Sequence, residues 1–69
     1  MVKKNIFESK MKLYCDRQSD IAEHLGISLS RFNAKLNGTD GAEFTSSEIA
    51  KIKERYKLTD EEVIEIFFS

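Results

Sequence analysis

Hydrophobic residues recur along this chain at intervals of three and four positions, which is the spacing of one face of an α-helix. Four such stripes precede residue 57: Phe7, Met11 and Tyr14; Ile21, Ala22 and Leu25; Phe32 and Leu36; and Ile49, Ile52 and Tyr56. The chain has no proline and only three glycines to interrupt them. The pattern therefore predicts an all-α fold with these stripes as its core.

Cap signals mark where the predicted helices begin. A cap residue followed three positions later by a carboxylate is typical of a capping box, and it occurs at Asn5 and Glu8, Thr45 and Glu48, and Thr59 and Glu62. Ser28 is the predicted cap of a further helix. These signals place five short helices at about residues 5–14, 17–25, 29–37, 46–56 and 60–67.

A length of 69 residues allows one small domain, residues 1–69, with a core too small to surround a substrate cavity. We expect no enzyme, because no activated nucleophile or carboxylate pair with a neighbouring base is present. The single Cys15, interpreted as a buried residue at a helix end, excludes an intramolecular disulfide, and we expect no metal or cofactor. His24 is interpreted as a surface residue. No signal peptide or membrane span is visible, so we expect a cytoplasmic protein without a membrane partner.

Charge is distributed unevenly although the net value is −1. Residues 1–38 contain seven Lys and Arg against four Asp and Glu, whereas residues 39–69 contain four against eight. The amino-terminal part could present a basic face to phosphates, or the charges could serve only to solvate the surface.

The predicted helix at 29–37 has an unusual exposed face. Phe32 and Leu36 define its buried direction on a helical wheel. The face away from this direction is small or polar. It consists of Ser30, Arg31, Asn33, Ala34 and Asn37, of which only Arg31 is charged. A surface needed only for solubility usually carries Glu and Lys, so this face is suited to close approach of a partner.

The segment from Gln18 to Gly38 reads Q-x-x-I-A-x-x-L-G-I-S-x-S-x-F-x-x-x-L-N-G. It resembles the helix-turn-helix of the phage Cro and repressor family, and "EFTSSEIAKIKERYKLTDEEVIEIFF" after it is similar to small Cro-like proteins of phages from Gram-positive bacteria. The resemblance covers roughly residues 3–68 and implies a lambda-repressor-like domain with its helix-turn-helix at 17–37. It also implies a phage transcriptional repressor that acts in the cytoplasm of the bacterial host and binds a palindromic double-stranded DNA operator as a homodimer.

The resemblance assigns roles to individual residues. Base-edge contacts are expected from Leu29, Ser30, Asn33 and Ala34, with Asn33 suited to adenine and the apolar pair to thymine methyl groups. Phosphate contacts are expected from Arg17, Gln18, Ser28, Arg31, Lys35 and Asn37. For Arg31 the alternative is a contact to a guanine. Family members often have a Thr cap where this chain has Arg17. Either Asp16 caps the second helix instead, or Arg17 points outward to a phosphate.

The carboxyl-terminal helix at 60–68 has more apolar surface than one face needs. Val63, Ile66 and Phe67 form one stripe, and Ile64 with Phe68 forms another about 100° away. We expect Ile64 and Phe68 to form a dimer interface, with a monomer that folds both stripes inward as the alternative.

An alternative function is a helix-turn-helix protein that acts mainly by binding another phage repressor protein.

Overall fold

The structure is a computed structural model that describes residues 2–68 of the chain. These residues form α-helices and no strand, which confirms the all-α prediction. The helices are α1 (Lys4–Leu13), α2 (Gln18–Leu25), α3 (Leu29–Asn37), α4 (Ser46–Tyr56) and α5 (Asp60–Val63). A 3-10 turn at Thr39–Gly41 follows α3, and a π-helical turn at Ile64–Phe68 continues α5.

Local capping explains where three of the helices begin. Thr45 Oγ1 accepts a hydrogen bond from the Glu48 N–H at 3.2 Å, and the Glu48 carboxylate accepts one from the Thr45 N–H at 2.9 Å. Thr59 and Glu62 form the same reciprocal pair, and Ser28 Oγ accepts the N–H of Arg31. These caps satisfy backbone donors that a helix start otherwise leaves open.

The predicted Asn5 cap of α1 is wrong. The helix begins at Lys4, one residue before Asn5, and its N-cap Lys3 makes no side-chain cap bond. Instead the Lys3 N–H donates to the carbonyl of Ile66 at 2.7 Å. A tertiary backbone bond thus fixes the start of α1, and the local sequence does not reveal it.

The core is centred on Phe7, which is 1% exposed. Its ring lies within 6.3 Å, centroid to centroid, of four other aromatic rings: Phe32, Phe44, Tyr56 and Phe67. Most of the predicted stripe residues are buried around this cluster. Three of these pairs are edge-to-face, an arrangement that adds to the stabilisation from burial itself.

Two residues after α1 depart from the prediction. Tyr14 and Cys15 are exposed rather than buried, because α1 ends at Leu13 and Cys15 adopts a left-handed conformation with φ 56°. Tyr14 still packs the edge of its ring against Tyr56. The Asp16 N–H donates to the Met11 carbonyl at 2.8 Å, which closes the end of α1, so the buried stripe of α1 stops at Met11.

The connection between α2 and α3 depends on Gly26, which has φ 74°. Its N–H and that of Ile27 both donate to carbonyls in the last turn of α2, and Ile27 packs against the core. A Cβ on Gly26 would meet no atom within 4 Å, so glycine serves the backbone angle rather than the available space. This turn sets α3 directly against α2.

Candidate nucleic-acid interface

The residues expected, from the resemblance, to contact bases all lie on α3. Leu29 is 46% exposed, Ser30 is exposed, and Asn33 and Ala34 are half-buried. Ser30 and Ala34 point away from the buried Phe32 and Leu36, which are 0% and 2% exposed, whereas Asn33 lies on the flank and Leu29 lies near the buried side in the first turn. The four predicted residues therefore all retain accessible surface, with Ser30 and Ala34 at the centre of the outward face and the exposed Arg31 on its other flank.

The two asparagines on this face are held by the backbone of their own helix. Asn33 Nδ2 donates to the Leu29 carbonyl at 3.1 Å, and Asn37 Nδ2 donates to the Asn33 carbonyl at 2.8 Å. Each amide group has two N–H donors and one acceptor oxygen, so Asn33 keeps one N–H and Oδ1 beyond this bond. That donor and acceptor pair matches the N7 and N6 positions of adenine.

Lys35 is not placed to contact a phosphate, so that prediction is wrong. Its side chain is buried, and Nζ lies 2.6 and 2.8 Å from the two carboxylate oxygens of Glu48. Burial alone would raise the pKa of Glu48, but the bonds from Lys35 and from the Thr45 N–H outweigh it and lower the pKa. Glu48 thus caps α4 and also ties α4 to α3.

The structure excludes one of the two alternatives for the start of α2, the cap by Asp16. Asp16 does not cap α2, because its carboxylate accepts bonds from Arg55 at 2.6 and 2.8 Å and from the Tyr56 hydroxyl at 2.7 Å. The bond from Arg55 lowers the pKa of Asp16 despite its burial. The Arg17 N–H is satisfied by Asp20 instead, and the Arg17 side chain is 84% exposed.

The predicted phosphate contacts, apart from Lys35, are accessible. Arg17, Ser28, Arg31 and Asn37 are exposed, and Gln18 at the first position of α2 is half-buried. Gln18 and Arg17 line an open groove of about 520 Å³ between α1 and α2, which also includes Lys12. The structure adds Lys4, whose amine bonds Asn37 and which the sequence did not assign to the site.

The basic character of the amino-terminal part is partly neutralised within the fold. Lys10 pairs with Glu62, as Lys35 pairs with Glu48. Both carboxylates come from the acidic carboxyl-terminal part. Arg17 is exposed but lies 3.4 Å from a carboxylate oxygen of Asp20, so the positive charge near α2 and α3 that has no carboxylate partner of this kind includes Lys4 and Arg31.

The carboxyl-terminal turn leaves one apolar stripe outside, as predicted. Ile66 and Phe67 are 1% and 7% exposed, whereas Ile64 and Phe68 are 56% and 67% exposed. The alternative in which both stripes fold inward is therefore wrong. Phe68 also lies at the edge of an open groove of about 480 Å³ that includes Val2, Phe44 and Ile49.

No family model, curated protein or solved structure matches this chain in the comparisons with known proteins. Across residues 2–68 there is no group of three or more His, Cys, Asp or Glu side chains that could hold a metal ion. No helix in the same range is long and apolar enough to cross a bilayer.

Proposed function

We propose that this chain is a sequence-specific DNA-binding transcriptional regulator, a Cro-like phage repressor with a lambda-repressor-like helix-turn-helix at residues 17–37. The observation that carries the proposal is the outward face of α3, where Leu29, Ser30, Asn33 and Ala34 are accessible together. An α-helix fits the major groove of B-DNA, and small side chains let its backbone approach the base edges. The proposed location is the cytoplasm of the bacterial host.

Base readout in this proposal depends chiefly on Asn33. Its Oδ1 and its second N–H accept from and donate to one adenine, while Leu29 and Ala34 contact thymine methyl groups. The bond from Asn33 to the Leu29 carbonyl orients the amide before DNA arrives. Preorganisation of this kind reduces the entropy lost on binding.

Phosphate contacts in this proposal flank the base-reading residues. Gln18, Arg17 and Ser28 lie at the starts of α2 and α3, and Asn37 lies at the far end of α3. Such contacts fix the register of a protein on the duplex without reading sequence. The buried Lys35–Glu48 ion pair holds α3 against α4, and in this way it helps to fix the position of α3 and its proposed contact residues.

The homodimer is supported by the exposed pair Ile64 and Phe68. A two-fold contact that covers them buries apolar surface that the monomer leaves in water. A dimer with two α3 helices about 34 Å apart would match successive major grooves on one side of a palindromic operator.

The second candidate is a protein that acts mainly by binding another phage repressor. Its supporting observations are the net charge of −1, which is low for a DNA-binding protein, and the exposed Ile64 and Phe68 beside acidic residues of α5. On this alternative the same apolar pair contacts the other repressor.

The two candidates differ in salt dependence. We expect the protein to shift duplex DNA from its own promoter region, with a log–log slope against salt on the order of −4 to −8 for a dimer. Fluorescence anisotropy over a salt series measures this slope. Absence of DNA binding at low salt, with retained binding to the phage's main repressor, would favour the second candidate.

A further inference from the structure

Lys4 connects the beginning of α1 to the end of α3. Its Nζ donates to Oδ1 of Asn37 at 3.1 Å, across 33 positions of sequence. Both residues are exposed. The contact is a product of the tertiary fold, and it brings an ammonium group beside a residue already assigned to a phosphate.

The beginning of α1 has a fixed position relative to α3. The N–H of Lys3 is bonded to the Ile66 carbonyl at 2.7 Å. One turn later Phe7 is buried and packs edge-on against Phe32 of α3, with ring centroids 5.9 Å apart. Lys4 is therefore part of the folded domain rather than of a loose amino-terminal arm.

Asn37 is oriented by two bonds at once. Its Nδ2 donates to the Asn33 carbonyl, which turns Oδ1 toward the Lys4 amine. The amide keeps a second N–H, and the ammonium group has two donors beyond the one used. The pair can therefore direct several donors at one anion.

The charge on Lys4 differs from that on two other lysines of the amino-terminal part. Carboxylates of Glu62 and Glu48 bind the amines of Lys10 and Lys35. The bond from Lys4 goes to a neutral amide, which leaves its positive charge uncompensated by that partner. A phosphate oxygen would gain both a charge-assisted bond and a directed amide bond here.

From this geometry we infer that Lys4 and Asn37 form one phosphate-binding pair at the carboxyl end of α3, which takes a non-bridging oxygen of the DNA backbone. The inference rests on the proposed function. Lys4 supplies the charge and Asn37 supplies a directed N–H. Ser28 caps the opposite, amino-terminal end of α3, so the pair and Ser28 together would anchor the helix at both ends.

The salt dependence of DNA binding tests this inference, because a charged contact changes the slope. Lys4→Met should reduce the magnitude of the log–log slope by about 0.9 for each subunit, and should weaken binding tenfold or more at about 100 mM salt for a dimer. Lys4→Arg should retain the slope. The probe is a mixed-sequence duplex of about two helical turns, with binding followed by anisotropy.

Lys10→Met is the matched control, since it removes the same charge from the same helix while Lys10 already pairs with Glu62. It should leave the slope close to that of wild type. Asn37→Ala should weaken binding with little change in slope, because it removes a neutral donor. Thermal melts should show Lys4→Met folded like wild type.

An unchanged salt slope in Lys4→Met would overturn the inference about Lys4 but not the proposed function, since Lys4 would then only stabilise the end of α3. An equal loss of slope in Lys10→Met would also overturn it, because the effect would reflect net charge. Failure of the wild type to bind any duplex would overturn this inference together with the proposed function.

Discussion

Replacement of Glu48 by Gln should destabilise the domain severely, although the two side chains have nearly the same shape. The substitution keeps an oxygen that can accept the Thr45 N–H but removes the charge opposite Lys35. The side chains of Lys35 and Glu48 are only 8% and 10% exposed, so an unpaired ammonium would remain largely out of water. Breaking a buried ion pair in this way costs about 3–5 kcal/mol.

The size of that loss is large for this chain. Typical stabilities of 0.05–0.15 kcal/mol per residue give a domain of this size roughly 3–10 kcal/mol. We take the lower end, about 3 kcal/mol, because the long lysine stem can bring its amine toward solvent. For a domain of 60–100 residues this corresponds to a fall in melting temperature of roughly 12–24 °C.

Urea unfolding followed by circular dichroism measures the effect, with thermal melts as a second readout. Lys53→Met is the matched control, because Lys53 pairs with Asp60 where both side chains are well exposed, at 42% and 85%. The double variant Lys35→Met with Glu48→Gln should recover most of the stability, since no unpaired charge remains. The reasoning is refuted if Glu48→Gln loses no more than Lys53→Met, or if the double variant is no more stable than the single one.

Three further predictions follow from named contacts. In the folded protein the pKa values of Glu48 and Asp16 lie below their usual 4.5 and 3.8. The stability that these carboxylates contribute is therefore present above the usual pKa values and is lost as the pH falls through the lowered pKa values. Urea midpoints should decline below about pH 4.5, and should decline less in Glu48→Gln. Lys57 ends α4 with φ 51°, so Lys57→Gly should raise stability by about 1 kcal/mol, whereas Lys51→Gly in the middle of α4 should lower it by about as much. Phe68→Asp should abolish self-association in sedimentation equilibrium, whereas Leu13→Asp, at a site that is 70% exposed, should not; equal association of Phe68→Asp and wild type would remove this stripe from the dimer contact.

Features set by neighbouring residues could be predicted from the sequence. The bounds of α3 and α4 agree with the prediction because Ser28 and Thr45 cap them and Gly38 ends α3. The exposed pair Ile64 and Phe68 was also predicted, since a small core can cover only one stripe. The π-helical form of the turn was not, because neither caps nor hydrophobic spacing distinguish it from an α-helix.

Lys35, Asp16 and Lys4 have partners that lie in other helices, which the local sequence does not show. Lys35 lies at the edge of the buried face of α3, and only its fold partner Glu48, 13 positions on, shows that its amine turns inward. The local sequence allows Asp16 to cap α2, but its partners Arg55 and Tyr56 are 39 and 40 positions away. The local sequence assigns no role to Lys4, because its partner Asn37 is 33 positions away. A helical wheel shows the direction in which a side chain leaves its helix, but it does not show which residue of another helix that side chain contacts.

Selection of preferred sites from a randomised DNA pool tests the central claim most directly, when wild type, Asn33→Ala and Gln18→Ala are compared. Wild type should select a defined half-site with A·T pairs at its centre. Asn33→Ala should lose the adenine preference at one position of each half-site, whereas Gln18→Ala should bind every sequence more weakly, by roughly 1 kcal/mol, and keep the wild-type preferences. No selected sequence with wild type, or identical preferences in Asn33→Ala, would contradict the account of α3 as the base-reading helix.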